Sequence, residues 1–185
     1  MKICVDAGHG GADPGAIGRE PFRLEEKDVT LAVAFLLEEE LAVRGHETVM
    51  PRRQDRTLAS LPRAEFANRF EADLFVSLHA NAAASERVEG MESFHFPGSR
   101  AGRKAAASIL TRMLATFPDH ENRGVKEADF TVLRETAMPA VLVELEFLTN
   151  SAQLRFLADA KNQRGLARAI AEGIPGGAVQ EVIFA

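Results

Sequence analysis

The chain has 185 residues, of which 46% are hydrophobic and 26% are charged, and its formal net charge is -5. This length favours a single domain with a substantial core. The acidic balance argues against a nucleic-acid binder, which usually presents a basic face, and no apolar run approaches the ~20 residues of a membrane span. The single cysteine, Cys4, excludes an internal disulfide and any multi-cysteine metal site.

The predicted elements alternate along the chain between short β-rich runs and longer stretches with helical spacing. Strands are predicted at Ile3–Val5, Thr48–Met50, Leu74–Leu78, Met91–Phe96, Thr131–Leu133 and Val141–Leu145. Helices are predicted at Glu26–Arg44, Pro62–Phe70, Arg100–Phe117, Ala152–Ala158 and Gln163–Glu172. This alternation predicts an α/β fold, with one domain, a mostly parallel (mixed) central sheet of about six strands, and helices on both faces. We assign residues 1–174 to this domain and residues 175–185 to a C-terminal tail.

A glycine-rich loop follows the first predicted strand and contains His9. Because α/β sheets bind their ligands at the carboxyl ends of the strands, His9 is a candidate site residue. A phosphate-binding loop is excluded, since no Gly-Lys-Ser/Thr follows and the glycine spacing is not that of a dinucleotide-binding loop. A loop histidine without a function stays the alternative.

Two further residues extend this candidate site. His79 ends the strand that begins at Leu74, so it can face the same crevice as His9, and Glu26 begins the first predicted helix. Each has an ordinary structural explanation, because a strand-end histidine can act as a hydrogen-bonded cap and acidic residues are favoured in a first helical turn. Together, two histidines and one carboxylate form the ligand set of a catalytic zinc site, in which a fourth position is open to water.

A fourth candidate residue, Glu144, lies near the end of the apolar strand Val141–Leu145. A buried carboxylate is unfavourable unless it is used or paired. Burial would raise its pKa and suit it to general acid/base catalysis. The alternative is a structural salt bridge, for which Arg123 and Arg134 are the candidate partners.

Six motifs occur in order along the chain: VDAGHGGADPGAIG, EKDVTLAVAFLL, SLHANA, GMESF, NRGVK and PAVLVELEFLTN. From Lys2 to Gly173 the chain thereby resembles the N-acetylmuramoyl-L-alanine amidases of the amidase-3 type, which are zinc-dependent peptidoglycan hydrolases. The resemblance implies that His9, Glu26 and His79 hold one Zn²⁺ ion per chain. It also implies that Glu144 is the catalytic glutamate.

One position departs from the pattern of this family. The family usually carries a small residue two places after the catalytic glutamate, where this chain has Glu146. If the strand persists, Glu144 and Glu146 share a face, so Glu146 is a candidate substrate contact or a coupled partner of Glu144. The alternative is a surface residue beyond the strand end. Asn81 and the cationic loop from Arg123 to Lys126 are further candidate contacts, because a cationic loop can bind the carboxylates of stem peptides.

The resemblance implies hydrolysis of the amide bond between N-acetylmuramic acid and L-alanine in peptidoglycan, leading to cell-wall degradation and lysis. Two alternatives stay open: a zinc peptidase that acts on stem peptides, and a catalytically silent wall-binding or regulatory domain. We expect a monomer that acts on the cell wall and binds no nucleic acid. The opening residues do not form a signal peptide. We therefore expect a phage or prophage lysin released from the cytoplasm, or the excised domain of an exported autolysin.

Overall fold

The computed structural model describes residues 1–174, so the predicted tail at 175–185 lies outside the described residues. The strands within the described part are β1 (Lys2–Ala7), β2 (Ile17–Gly18), β3 (Leu24–Glu25), β4 (Glu47–Val49), β5 (Leu74–Asn81), β6 (Met91–His95), β7 (Asn122–Glu127) and β8 (Ala140–Phe147). The helices are α1 (Glu26–Val43), α2 (Ser60–Phe70), α3 (Arg100–Thr116), α4 (Thr131–Arg134), α5 (Ser151–Ala158) and α6 (Ala160–Gly173).

A six-stranded mixed sheet in the order β4-β1-β5-β8-β6-β7 forms the centre of the fold. Neighbouring strands run parallel except for β6 and β8, which pair in an antiparallel arrangement. The strands β2 and β3 form a separate short antiparallel ladder immediately before α1. The predicted α/β fold with a mostly parallel, mixed sheet is confirmed.

Helices cover both faces of the sheet. Successive strand side chains point to opposite faces, and here the side chains on both faces are apolar, so each face needs a cover. On one face, α1 and α6 contribute residues such as Val33 and Ile170 to the larger core, which also contains Val5 of β1. On the other face, Ala67 of α2 packs with Cys4 of β1 in a smaller core. Within residues 1–174, none of the helices has the length and apolar character that crossing a membrane requires.

Two predicted elements on the β6 side of the molecule are wrong. The segment Thr131–Leu133, predicted as a strand, lies in the short helix α4, whereas the segment interpreted as a cationic loop forms strand β7. The strand β7 has no apolar run because it is half-buried or exposed at the edge of the sheet. In α4, the adjacent Val132 and Leu133 are both buried in the smaller core, and so short an apolar run does not distinguish helix from strand.

The carboxyl ends of β1, β5 and β8 meet at one edge of the sheet, since these three neighbouring strands are parallel. The backbone N–H of Gly8, directly after β1, donates to the carbonyl oxygen of Leu78 at 3.0 Å. His79 lies opposite Glu144 in the pairing of β5 with β8. This edge therefore brings together residues that are far apart in the sequence.

Candidate zinc centre and active-site pocket

His9 lies in the turn directly after β1 and has a backbone φ of 60°. This left-handed conformation is uncommon for a residue other than glycine. The Nδ1 atom of His9 lies 2.9 Å from Oδ2 of Asp13, and its Nε2 atom lies 3.1 Å from Oε1 of Glu26. Asp13 therefore orients the ring with Nε2 towards Glu26, as outer carboxylates do for metal-binding histidines. Asp13 was not predicted as a site residue, although it lies in the same glycine-rich loop as His9.

Glu26, the first residue of α1, is 4% exposed and is held by the backbone on both sides. Its Oε1 atom accepts a hydrogen bond from the N–H of Ala80 at 2.9 Å, and its Oε2 atom accepts one from the N–H of Ala16 at 2.7 Å. Burial raises the pKa of Glu26, but hydrogen bonds with His79 and His9 outweigh it and hold this pKa well below its ordinary value. Glu26 is therefore a fixed, ionised carboxylate.

His79 completes the cluster from the end of β5, with its Nδ1 atom 2.9 Å from Oε1 of Glu26. Two glycines make this approach possible. A Cβ atom at Gly8 would lie 2.5 Å from Cε1 of His79, and a Cβ atom at Gly15 would lie 2.5 Å from Oε2 of Glu26. The glycine-rich loop thus lets the backbone come close to the imidazole and the carboxylate.

His9, Glu26 and His79 each offer one ligand atom, and these atoms all lie within 4.8 Å of one another. Two imidazole nitrogens and one carboxylate oxygen are a donor set of catalytic zinc sites, so the residues present fit a zinc ion. Burial lowers the pKa of His9, but Glu26 and Asp13 outweigh this effect and raise it above its ordinary value. A metal ion at this site would therefore compete with protons for His9.

Glu144 lines a cavity of about 480 Å³ together with His9 and His79. The lining of this cavity also includes an apolar group, made up of Leu58, Phe130, Val132 and Leu142. The buried Oε2 atom of Glu144 has no hydrogen-bond partner within residues 1–174. Burial, and then the charges of Glu26 and Glu92, raise the pKa of Glu144 well above its ordinary value. The site thus places an unpaired carboxyl group, which favours its protonated form, beside the metal-ligand cluster.

Neither salt bridge considered for Glu144 is present in the described part of the chain. Arg123 has its Nε atom 3.5 Å from Oε2 of Glu92. Arg134 contacts Asp129 and Glu135 instead. Within residues 1–174, neither arginine therefore pairs with Glu144 to give it a structural role.

Three of the candidate substrate contacts converge on Glu92, a residue that the sequence analysis did not single out. Glu92 is 4% exposed and lies directly opposite Glu144 in the antiparallel pairing of β6 with β8. It accepts a hydrogen bond from Nδ2 of Asn81 at 2.7 Å, pairs with Nζ of Lys126, and lies beside Arg123. A signal was present in the motif GMESF, where a glutamate interrupts a predicted strand.

Glu146 lies away from the cavity and makes four polar contacts of its own. Its two carboxylate oxygens accept hydrogen bonds from the N–H groups of Gly90 and Phe147, and its Oε1 atom lies 2.7 Å from Nδ1 of His120. It is 0% exposed, so the surface alternative is wrong. The charges that act on Glu144 come from Glu26 and Glu92, whereas the carboxylate of Glu146 contacts Gly90, Phe147 and His120.

A bulge in β8 separates the side chain of Glu146 from that of Glu144. His79 pairs with Glu144, but Asn81 pairs with Phe147, so β8 contains one more residue than β5 over this stretch. An extra residue breaks the alternation of side chains between the two faces of a sheet. Glu146 therefore does not share the face of Glu144, and its position does not support a contact with substrate.

The chain is similar to known proteins in both sequence and fold. The family model Amidase_3, described as N-acetylmuramoyl-L-alanine amidase, matches residues 3–175. The chain is 37% identical over 175 residues to the uncharacterized protein YqiI of Bacillus subtilis, covering 93% of this chain and 82% of that protein. It is 35% identical over 176 residues to the N-acetylmuramoyl-L-alanine amidase CwlM of Bacillus licheniformis, covering 94% and 67%.

A solved structure has the same fold. The N-acetylmuramoyl-L-alanine amidase AmiC2 of Nostoc punctiforme superimposes with a TM-score of 0.88 at 34% sequence identity, over 94% of each chain. The resemblance inferred from the six motifs is thereby confirmed. The chain belongs to the Amidase_3 family of N-acetylmuramoyl-L-alanine amidases.

Proposed function

We propose that this chain hydrolyses the amide bond between the lactyl group of N-acetylmuramic acid and L-alanine in peptidoglycan, using one zinc ion held by His9, Glu26 and His79. The observation that carries the proposal is the unpaired carboxyl group of Glu144 beside three converging metal-ligand side chains. When bound, zinc supplies Lewis-acid chemistry, because it polarises a carbonyl group and lowers the pKa of water.

Glu144 moves the proton in this proposal. The carboxylate form accepts a proton at Oε2 from the attacking water, and the oxygen of that water forms a bond to the amide carbon. Cleavage of the carbon–nitrogen bond then requires a proton on the leaving nitrogen, which Glu144 donates. Glu144 thus acts first as a general base and then as a general acid, and it ends the reaction in the ionisation state in which it began.

Lys126 and Arg123 form the candidate contact for the stem peptide. Their side chains are 40% and 27% exposed, and both lie beside the buried carboxylate of Glu92, which fixes their positions. A stem-peptide carboxylate can form charge-assisted hydrogen bonds with these cations. Asn81 acts on Glu92 through its side-chain hydrogen bond, so we assign it a positioning role.

The apolar lining of the cavity provides a second kind of contact. Leu58 and Phe130 lie in the same cavity as His9 and Glu144. Apolar and aromatic side chains suit the methyl groups of the lactyl and alanyl units, and these must lie on either side of the cleaved bond. The site thus has separate regions for apolar and anionic parts of one substrate.

The decisive experiment is mass spectrometry of purified peptidoglycan digested by the chain. We expect free L-alanine amino termini on otherwise intact stem peptides. New termini within the stem peptide would indicate the zinc peptidase instead, and intact peptidoglycan would indicate a silent wall-binding or regulatory domain. Metal analysis of the same preparation should give one zinc per chain.

The place of action follows from the substrate, which is the bacterial cell wall. Clearing of a suspension of purified walls would support a lytic role, whether the chain is released as a phage lysin or exported as part of an autolysin. We expect the active species to be a monomer, since His9, Glu26, His79 and Glu144 all come from one chain.

A further inference from the structure

Two buried arginines lie beneath the turn that carries His9. Arg52 is 1% exposed and Arg63 is 4% exposed. Arg52 donates from Nε to the carbonyl oxygen of Ala7 and from Nη2 to that of Gly8, both at 2.8 Å. Arg63 donates from Nη2 to the carbonyl oxygen of His9 at 2.6 Å. Three consecutive carbonyl groups of the turn are therefore held by guanidinium groups.

Arg52 also joins this turn to the helix that begins with Glu26. Its Nη2 atom lies 2.9 Å from the carbonyl oxygen of Lys27 and 3.1 Å from Oγ1 of Thr30, and this hydroxyl donates to the carbonyl oxygen of Gly8 at 2.9 Å. Gly8 precedes His9 and Lys27 follows Glu26 in the sequence. One guanidinium group thus fixes the neighbours of two metal-ligand residues.

Arg63 joins the same turn to the strand that carries His79. Its Nη1 atom lies 2.7 Å from Oδ1 of Asp6, and the other carboxylate oxygen of Asp6 accepts a hydrogen bond from Oγ of Ser77 at 2.8 Å. Ser77 lies in β5, the strand that carries His79. Arg52 and Arg63 together connect the three segments that supply the ligands.

The charge of Arg52 is unfavourable in this place. Arg52 forms no salt bridge with a residue in the described part of the chain, and Asp6 is the buried carboxylate beside Arg63. Burial, and then the charge of Arg63, lower the pKa of Arg52. Arg63 is paired with Asp6 at 2.7 Å, so the buried cation without a salt bridge is Arg52, and a buried cation near a site for a divalent cation should weaken metal binding by repulsion. The presence of the two arginines is explained if their hydrogen bonds hold the backbone around the metal-ligand residues in place.

We propose that Arg52 and Arg63 are positioning residues that hold His9, Glu26 and His79 in the arrangement required for zinc. A guanidinium group suits this task, because its planar array of donors can hold several carbonyl oxygens at fixed angles, whereas an ammonium group is a point charge. The inference rests on the proposed zinc site. It predicts that removal of a nearby positive charge weakens metal binding, which is the opposite of the electrostatic expectation.

The test is the zinc affinity of the full chain, measured by competition with a chromophoric chelator. We expect Arg52→Met to weaken zinc binding by about 10-fold or more, because the charge-assisted hydrogen bonds that hold the neighbours of two ligands are lost. Arg52→Lys should also weaken it, since the charge remains but the donor geometry is lost. Arg53→Met is the matched control, because Arg53 pairs with Glu38 on the surface and should leave the affinity unchanged.

An affinity for zinc that is unchanged or tighter in Arg52→Met would overturn the proposal, even if the melting temperature falls. If the Arg52 variants fail to fold, Thr30→Val provides the second test. This variant keeps both arginines and removes the hydroxyl that contacts Gly8 and Arg52. We expect a several-fold weaker affinity from the loss of these hydrogen bonds, and parent-like binding would refute the inference.

The outcomes separate this inference from the proposed function. A parent chain that binds no zinc would overturn both the metal site and the role of the arginines. A parent chain that binds zinc, with variants of equal affinity, would overturn the positioning role alone. Zinc binding that depends on Arg52, in a chain that releases no L-alanine termini, would support the positioning role and reject the amidase activity.

Discussion

Replacement of Glu144 with glutamine should stabilise the metal-free protein at neutral pH while it removes most of the activity. The native state raises the pKa of Glu144 well above its ordinary value of 4.5, which applies to the unfolded chain. Below this ordinary value both states are protonated and ionisation of Glu144 does not affect stability. Above it the unfolded chain loses the proton and the native state retains it, so stability falls as the pH rises. Glutamine does not ionise and escapes this loss.

The size of the effect follows from proton linkage. Stability falls by about 1.4 kcal/mol for each pH unit between the unfolded and the native pKa of one group. For a domain of this size, about 1 kcal/mol corresponds to roughly 2–4 °C in melting temperature. The melting temperature of Glu144→Gln minus that of the parent should therefore grow by roughly 3–6 °C per pH unit above the ordinary pKa.

The assay is thermal unfolding of both proteins across this pH range in the presence of a chelator. His9 and Glu26 titrate in both proteins, so their direct contributions largely cancel in the difference. Without chelator, Glu144→Gln should retain zinc and lose about 10²-fold to 10⁴-fold in rate, the usual contribution of a general acid/base. A melting-temperature difference that does not change between about pH 5 and about pH 7 would refute the desolvation of Glu144 on which this reasoning depends.

Three further predictions test the other parts of the site. His79→Ala should abolish both zinc binding and activity, and full zinc occupancy by metal analysis would contradict the ligand assignment. Chelation should remove activity but preserve the far-UV circular dichroism spectrum, because the core of the sheet and helices does not depend on one metal ion. Lys126→Met should raise KM for peptidoglycan fragments roughly tenfold with little change in kcat. The exposed Lys104 on α3 provides the control, Lys104→Met, and an equal change in both variants would reject a specific contact.

The parts of the fold that the sequence predicts correctly depend on short-range patterns. The buried strands β5 and β8 are continuous apolar runs, and α1 has apolar residues at helical spacing. The cluster of His9, Glu26 and His79 could also be predicted from the sequence, because each residue lies at the end or the beginning of a predicted element. Parallel strands then bring such positions to one edge by topology alone.

The two arginines beneath the turn of His9 could not be predicted from the sequence in this way. Arg52 contacts Ala7 across a separation of 45 residues, and Arg63 contacts Asp6 across 57. Arg52 lies in a segment that reads as an ordinary polar loop, and Arg63 lies in a segment that reads as a helix surface. An arginine side chain is long enough to reach a buried carbonyl group from either place. A pattern of apolar residues does not report hydrogen bonds of this kind, and so neither arginine was singled out.

Strand periodicity does not predict the position of Glu146, because one extra residue in β8 moves its side chain away from that of Glu144. Both oxygens of its carboxylate instead accept from the single N–H of Gly90, the residue before β6. The bulge thus ties the beginning of β6 to the end of β8. Glu92 lies two residues after Gly90 and directly opposite Glu144. The departure at Glu146 therefore stabilises the strand pairing that places Glu92, with its cations, beside Glu144.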